Sequence, residues 1–163
     1  MHAVCPSPQP PDSSPYALST LAPSPLGLIM KIHHIGIAVS SLEAARAAFE
    51  TLLGKPPEAE EIVAEQKVRV STFCLGESRL ELLEATSEDS PIARFVSKRG
   101  QGLHHVAVAV EDLSGTLRRL EGAGVRLIDR EPRRGAGNER VAFVHPAGTA
   151  GVLMELVEET GAA

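Results

Sequence analysis

The sequence predicts one α+β domain in which two βαβββ modules form a curved, partly open, barrel-like sheet of eight strands. The main observation is a repeat, since residues 32–39 read IHHIGIAV and residues 103–110 read LHHVAVAV, at a constant offset of 71. A second match follows in the same order, between LELLE at residues 80–84 and MELVE at residues 154–158, at an offset of 74. Each match carries polar residues at equivalent places, so we interpret the halves as copies of one module related by a pseudo-twofold axis.

The first module begins with the strand at residues 32–39. Ser40 and Glu43 form a capping box, so we expect the first helix to begin at Ser40 and to end before Gly54. Strand patterns follow at residues 68–75 and 79–84. Together these elements predict the first module over about residues 30–86.

A short helix is expected to link the modules at about residues 90–100. Ser90 is a typical N-cap, Pro91 suits the first helical position and Gly100 suits the end. The second module, about residues 101–158, repeats the order of the first. Its predicted elements after the first strand are a helix from Asp112 to Gly122 or Gly124 and strands at residues 140–145 and 152–158.

The ends of the chain are expected to lie outside this domain, which spans residues 30–158. Residues 1–29 contain seven prolines and neither Lys nor Arg, so we expect a disordered tail rich in Pro and Ser. The absence of basic residues there also argues against a secretory signal or a transit peptide. Residues 159–163 are expected to form a short C-terminal tail.

Composition excludes several classes of function. The net charge is -5 and aromatic residues make up 3% of the chain, which argues against a nucleic-acid partner. No apolar run approaches the roughly 18 residues that cross a bilayer, so we expect no membrane partner. Two cysteines, Cys5 and Cys74, cannot build a disulfide framework, and we expect Cys74 to be a reduced, packed thiol in a cytoplasmic protein. A small ligand or a cation is the better expectation.

The repeated strands are predicted to present two histidines to one cavity. Side chains alternate along a strand, so His34 shares a face with Gly36 and Ala38, and His105 shares a face with the small residues of its own strand. Small side chains indicate a roomy, concave face. By the same alternation, His33 and His104 are expected on the opposite face, against the helices, in structural or supporting roles.

Two glutamates complete a candidate metal site. Glu81 and Glu155 occupy matched positions among apolar neighbours in the closing strands, where an uncompensated carboxylate would be costly to bury. A single strand histidine is more often structural, but the duplication brings one His and one Glu from each half together. This set suits a divalent ion such as Co, Zn, Ni, Mn or Mg, and the lack of thiolates argues against a closed structural zinc site. Four ligands of a six-coordinate ion would leave two positions for substrate oxygens, which is typical of a catalytic centre.

The sequence also resembles a known family over about residues 30–158. The strand motifs alone indicate only a superfamily. One family within it is indicated by three further features, namely the linking-helix sequence, Glu131-Pro132 and His145-Pro146. The stretches that carry it are residues 34–39, 81–84, 88–93, 102–107, 126–129, 131–132, 145–146 and 151–156. On these stretches the chain is similar to methylmalonyl-CoA epimerase, of the vicinal oxygen chelate superfamily that includes glyoxalase I and the extradiol dioxygenases.

The resemblance implies a metal-dependent epimerisation at C2 of methylmalonyl-CoA, which interconverts its R and S forms through a metal-chelated thioester enolate. It implies one divalent ion, with cobalt as the first expectation, an acyl-CoA substrate and a homodimer. Some members of the family carry Gln where this chain has Glu81. It further implies that the metal is held by His34, Glu81, His105 and Glu155, the same set that the repeat predicts.

Two bases are needed to move a proton across C2. Glu155 is the first candidate, since the family assigns a double role to the last-strand glutamate. The resemblance implies that the second base is a carboxylate on the strand matching residues 66–73, which contain no acid here. Glu81 and a bound water are the alternatives.

Phosphate groups of the substrate need positive partners. The basic loop at residues 130–140 either contacts the substrate or forms a solvated hairpin. The candidate substrate-binding residues are Arg133, Arg134, Arg140 and His145.

Three other functions are open on the same fold. Glyoxalase I shares the four-ligand site but acts on a glutathione hemithioacetal. An extradiol dioxygenase uses two His and one carboxylate, so a fourth ligand argues against it. A non-catalytic member would bind a small ligand without the four-residue set, and aromatic residues usually line the cleft of such a protein.

Overall fold

The computed structural model describes residues 29–159. Within this range, three α-helices accompany eight strands. The strands are β1 (Ile29–Val39), β2 (Ala59–Val63), β3 (Val68–Leu75), β4 (Ser78–Ala85), β5 (Gly102–Val110), β6 (Arg133–Arg134), β7 (Arg140–Val144) and β8 (Met154–Glu158). The helices are α1 (Leu42–Leu53), α2 (Pro91–Arg99) and α3 (Leu113–Gly122). No helix in residues 29–159 is both long enough and apolar enough to cross a membrane.

The eight strands form one mixed sheet in the order β2-β3-β4-β1-β5-β8-β7-β6. In each half, the first strand pairs in parallel with the last, β1 with β4 and β5 with β8. At the centre, β1 and β5 pair antiparallel, with His34 opposite Ala107 and Gly36 opposite His105. Since each of these pairs is the image of the other under the 71-residue repeat, the predicted fold of two βαβββ modules is confirmed.

Two of the three register shifts in the central ladder are bulges at equivalent points. Ile32 and His34 pair with Val108 and Ala107, which leaves His33 as an extra residue of β1. By the same pattern in the other half, His104 is the extra residue of β5. A bulge redirects side chains, so the strict alternation that the sequence analysis assumed fails at both positions.

The three helices begin at polar caps. The Oγ atom of Ser41 accepts a hydrogen bond from the backbone N–H of Ala44, so α1 is capped by Ser41 and the expected cap at Ser40 is wrong. Ser40 instead donates its backbone N–H to the side chain of Gln101. The predicted cap of α2, Ser90, is confirmed, and Asp112, where the third helix was expected to begin, is the N-cap of α3.

The helices cover apolar faces of the sheet and thereby hold it in its curved form. Phe73 and Leu82 are both fully buried and pack against α1. Ile92 of α2 packs on the residues of β3 and β4 that face the other way. The third helix covers β7 and β8, where Leu113 is fully buried. The concave face is left open between these clusters.

Several expected boundaries differ from the structure. The sequence analysis placed no strand at Ala59–Val63, and it expected a loop where Arg133–Arg134 forms a two-residue strand. The last strand begins at Met154, two residues later than expected. Cys74 is buried in β3, but the expectation of a free thiol is wrong, because the described residues contain no free cysteine. The expected terminal tails lie outside the described residues, except for Ile29 in β1 and residue 159.

Candidate metal centre and its cavity

Three of the four predicted ligands meet at one point on the concave face. The Nε2 atoms of His34 and His105 lie 2.9 Å apart, and the Oε2 atom of Glu155 lies 3.0 Å from each of them. His34 belongs to the first module, whereas His105 and Glu155 belong to the second. All three side chains are buried. The pairing of β1 with β5 and of β5 with β8 therefore assembles a cluster from parts that are distant in the sequence.

The cluster fits a divalent cation. Bonds of about 2.1 Å from one ion to imidazole nitrogen or carboxylate oxygen put neighbouring octahedral ligands about 3.0 Å apart. The three observed separations are close to this value, at 2.9, 3.0 and 3.0 Å. The residues present therefore suit a metal ion of the kind that accepts nitrogen and oxygen ligands.

The fourth predicted ligand, Glu81, lies beside this cluster. Its Oε2 atom is 3.6 Å from the Nε2 atom of His34, and its side chain is 4% exposed. It lies next to β1 because β4 pairs with β1 in parallel, with Glu81 opposite Gly36. The structure thus brings all four predicted residues to one region, with three of them in the tight cluster.

Electrostatics in this cluster favours a proton or a cation. Burial disfavours the charged form of His34, but Glu81 and Glu155 outweigh that effect and raise the pKa of His34 to about 9. Burial acts in the opposite sense on Glu155, where the hydrogen bonds from His105 and His34 nevertheless hold its pKa well below the usual range. Two buried carboxylates beside two imidazoles thus form a site that attracts positive charge.

A second pair of histidines supports the first. The Nδ1 atom of His33 lies 2.8 Å from that of His34, and the Nδ1 atom of His104 lies 2.9 Å from that of His105. Each pair needs one proton between its two nitrogens, so a ligand that offers Nε2 to a metal can donate its Nδ1–H to the neighbouring ring. His33 and His104 therefore do not lie on the outer face, as the alternation predicted, because the bulges turn them toward the ligands.

The two supporting histidines differ in what lies behind them. The Nε2 atom of His33 is 3.5 Å from a carboxylate oxygen of Glu139, which also accepts a hydrogen bond of 3.2 Å from Arg79. Burial raises the pKa of Glu139, but His33 and Arg79 outweigh it and lower that pKa overall. His104 instead meets the edge of Phe95, and burial together with His105 lowers its pKa to about 4. Among residues 29–159, a carboxylate thus lies behind His33, which supports His34, but not behind His104, which supports His105.

The cluster lies at the base of a cavity of about 430 Å³. Apolar side chains, among them Val70, Leu83 and Phe143, line much of the wall. The carboxylates that line the cavity are Glu65, Glu81, Asp89, Glu139 and Glu155. A cavity of this size accepts a small acyl group with part of a longer carrier.

The four predicted substrate-binding residues do not converge on this cavity. Arg133 lines it, stacks over Phe143 and pairs with Asp129 at 3.1 Å. Arg134 lies in β6 beside a separate, shallow pocket. Arg140 pairs with Glu158 and also donates to Ser114, while His145 accepts a hydrogen bond from the backbone of Ala147 and so caps a turn. Of these residues, only Arg133 is placed to meet a ligand in the cavity.

Among the carboxylates of the cavity wall that the sequence did not predict, Glu65 stands apart. Glu65 lies in the short 3-10 turn Ala64–Gln66, just before β3. No ion pair or hydrogen bond engages its side chain among residues 29–159, whereas Asp89 pairs with Lys67 and Glu139 pairs with Arg79. Glu65 directly precedes residues 66–73, the strand on which an acid was expected, so its position in the sequence is the signal that identifies it.

Comparison with known proteins supports a common origin with acyl-CoA epimerases. Residues 33–143 match the Glyoxalase/Bleomycin resistance protein/Dioxygenase superfamily. The chain is 47% identical over 131 residues to the Bacillus subtilis "Uncharacterized protein YqjC", which covers 80% of this chain and 94% of that protein. It is 37% identical over 131 residues to the "Ethylmalonyl-CoA/methylmalonyl-CoA epimerase" of Cereibacter sphaeroides, covering 79% and 98% of the two chains.

A solved structure shares the fold throughout the described domain. A variant of the Streptomyces coelicolor methylmalonyl-CoA epimerase, in complex with 2-nitronate-propionyl-CoA, superposes with a TM-score of 0.78 and is 35% identical. The match covers 82% of this chain and 97% of that one.

Proposed function

The chain belongs to the Glyoxalase/Bleomycin resistance protein/Dioxygenase superfamily, and we propose that it is an enzyme that interconverts the R and S forms of methylmalonyl-CoA. The observation that carries this proposal is the buried cluster of His34, His105 and Glu155, with Glu81 beside it, at the base of a cavity. Relatives named as methylmalonyl-CoA epimerases support the choice of substrate.

The reaction requires removal of the proton from the carbon between a thioester and a carboxylate. His34, Glu81, His105 and Glu155 would hold a divalent ion, which would supply Lewis-acid stabilisation of the negative charge on the thioester oxygen. The protein has two further tasks, namely to orient the acyl group and to exclude water from it. The apolar wall formed by residues such as Val70, Leu83 and Phe143 suits both tasks.

Two carboxylates at different places in the cavity serve as the bases in this proposal. Glu155 acts on one face of the carbon, although its low pKa makes it a weak base while it contacts both histidines. Glu65 acts on the other face, because it lines the same cavity and no cation among the described residues occupies its carboxylate. Glu81 remains a metal ligand in this assignment and is the alternative second base.

The identity of the metal, the assembly and the compartment complete the proposal. Nitrogen and oxygen ligands favour a first-row divalent ion, and we expect cobalt first, with Zn, Ni, Mn or Mg as alternatives. We further expect a cytoplasmic homodimer, for which mass measurement in solution and fractionation of the source cell are the tests. Arg133 is the proposed contact for the free carboxylate of the substrate, because it lines the cavity and can exchange its ion pair with Asp129 for one with the substrate.

The decisive experiment combines metal analysis with two activity assays. Protein as isolated is analysed for bound metals and then assayed for epimerisation of (2R)-methylmalonyl-CoA before and after treatment with a chelator. We expect activity that is lost on chelation and restored by one divalent ion. A glutathione hemithioacetal is the comparison substrate. Turnover of that substrate alone, or full activity after the metal has been removed, would overturn the proposal.

A further inference from the structure

A second hollow lies next to the cavity that holds the metal centre, along α2. It has a volume of about 390 Å³ and shares four wall residues with the cavity that holds the metal centre. The shared residues are Pro91, His104, His105 and Leu153. A ligand whose reactive end contacts the cluster therefore has this hollow beside it.

The hollow differs from the cavity in its charge. Its wall contains Arg94, Lys98 and Arg99, and the described residues contribute no carboxylate to it. The catalytic cavity, in contrast, is lined by five carboxylates. In a chain with a net charge of -5, three neighbouring cations without acidic residues between them form a local attraction for anions.

These cations are available to a ligand. Arg94 donates to the backbone carbonyl of Asp89 at 3.0 Å, which leaves its charge unpaired. No ion pair engages Lys98 or Arg99 within residues 29–159, and the guanidinium carbon of Arg99 lies 5.9 Å from the ring centroid of Phe95. By comparison, three arginines elsewhere in the described chain, Arg133, Arg140 and Arg130, are each paired with a carboxylate.

The spacing suits a long carrier. Arg94 and Lys98 are four residues apart and so lie on one side of α2. From Pro91 at the shared wall to Lys98 the helix rises by about 10 Å. Leu103 and Val152, which are 58% and 40% exposed, add apolar surface along this path. The hollow thus offers an apolar stretch next to the cluster and positive charge beyond it.

From these observations we propose that the hollow binds the carrier of the acyl-CoA substrate, with Arg94, Lys98 and Arg99 contacting its phosphate groups. This inference rests on the proposed function for the nature of the acyl group. It replaces the basic loop at residues 130–140 as the phosphate-binding site. The negative phosphates then lie on α2, while the negative acyl end lies at the metal centre.

The test is a triple variant of the full chain, Arg94→Gln with Lys98→Gln and Arg99→Gln. We expect KM for methylmalonyl-CoA to rise by about tenfold, because three exposed charge contacts are lost, and kcat to change little. KM should also become less sensitive to ionic strength. With the N-acetylcysteamine thioester of methylmalonate, which lacks the phosphates, KM should change less than twofold. Arg118→Gln, which removes an exposed charge from α3, is the matched control.

Calorimetric binding of free coenzyme A makes the outcome independent of catalysis. Weaker binding of coenzyme A by the triple variant than by the wild type and by Arg118→Gln supports the inference. Equal binding by all three proteins overturns it, as does an equal loss of activity on both thioesters. If the wild type binds coenzyme A through these residues but epimerises neither thioester, the proposed reaction fails while the binding site stands.

Discussion

His34 and His105 are 71 positions apart in the chain, and their Nε2 atoms lie 2.9 Å apart. The antiparallel register of β1 on β5 places each histidine diagonally opposite the other, since Gly36 pairs with His105 and Ala107 pairs with His34. The pairing of β1 with β5 thus brings one histidine from each half of the chain to a common point. The predictions below test the parts of that arrangement separately.

Gly36 makes room for one of these rings. A β-carbon at this position would lie 2.2 Å from Cε1 of His105, so Gly36→Ala must displace the ring. We expect loss of bound metal and of epimerase activity, with a destabilisation of about 1–3 kcal/mol. Metal analysis and thermal unfolding measure the two effects. Gly122→Ala is the control, since no atom lies within 4 Å of the added carbon. Wild-type metal content in Gly36→Ala would contradict the proposal that Gly36 makes room for the ring of His105 as a metal ligand.

The two proposed bases can be separated by isotope exchange. Glu155→Gln is expected to abolish exchange of the C2 hydrogen with deuterated solvent, because it removes a proposed metal ligand together with one base; mass spectrometry of the thioester measures the exchange. Glu65→Gln should lose epimerisation by at least about a hundredfold yet still exchange the hydrogen of one isomer, because a single base remains. Glu88→Gln removes an exposed carboxylate outside the cavity and should behave as the wild type. Exchange near the wild-type rate in Glu155→Gln would remove that residue from the role of base.

Glu139 is expected to support metal binding from a distance. It lies 3.5 Å from His33, whose other nitrogen meets His34, so Glu139→Gln weakens the orientation of that ligand. We expect the metal affinity to fall by about tenfold to a hundredfold in a competition titration with a coloured chelator. Glu159→Gln breaks a surface ion pair with Lys31 and should leave the affinity unchanged. An unaltered affinity in Glu139→Gln would make its contact with His33 purely structural.

Metal affinity should depend on pH through His34. Since its pKa is raised to about 9, the metal-free protein keeps a proton on this ring at neutral pH, and the metal must displace it. Affinity is therefore expected to rise by about tenfold per pH unit toward pH 9 and then to level off. The same shift stabilises the metal-free fold below pH 6.5, and this contribution is lost as the pH rises through about 9. Affinity that is constant from pH 7 to pH 9 would contradict the shift.

Much of the fold followed from the repeat alone. The strands β1, β3, β4 and β5 and all three helices lie where the pattern of apolar residues predicts them. The repeat could not locate β2, whose exposed Glu60 and Ile62 alternate with partly buried residues and whose apolar pattern is weak. Nor could it locate β6, since two arginines carry no strand signal and only pairing with β7 defines them.

The sequence predicted some residues of the candidate site and missed others. His34, Glu81, His105 and Glu155 were found because duplication marks them, and their proximity agrees with that prediction. The roles of Glu65 and Glu139 could not be read from the sequence, because each lies in a turn and has no counterpart in the repeat. Periodicity identifies residues on regular elements, whereas cavity walls also include residues from the connections.

The two bulges each add one residue to a central strand, and that residue serves the candidate metal site. Each inserts one histidine behind another, an arrangement that a regular strand forbids because consecutive side chains would face apart. Deleting His33 would remove the extra residue between Ile32 and His34, whose partners Val108 and Ala107 are consecutive in β5. The candidate metal ligand His34 would then lose the ring of His33, whose Nδ1 atom lies 2.8 Å from its own. In this domain, removing one residue from a strand can therefore abolish the chemistry of the metal site while the pairing of the strands is kept.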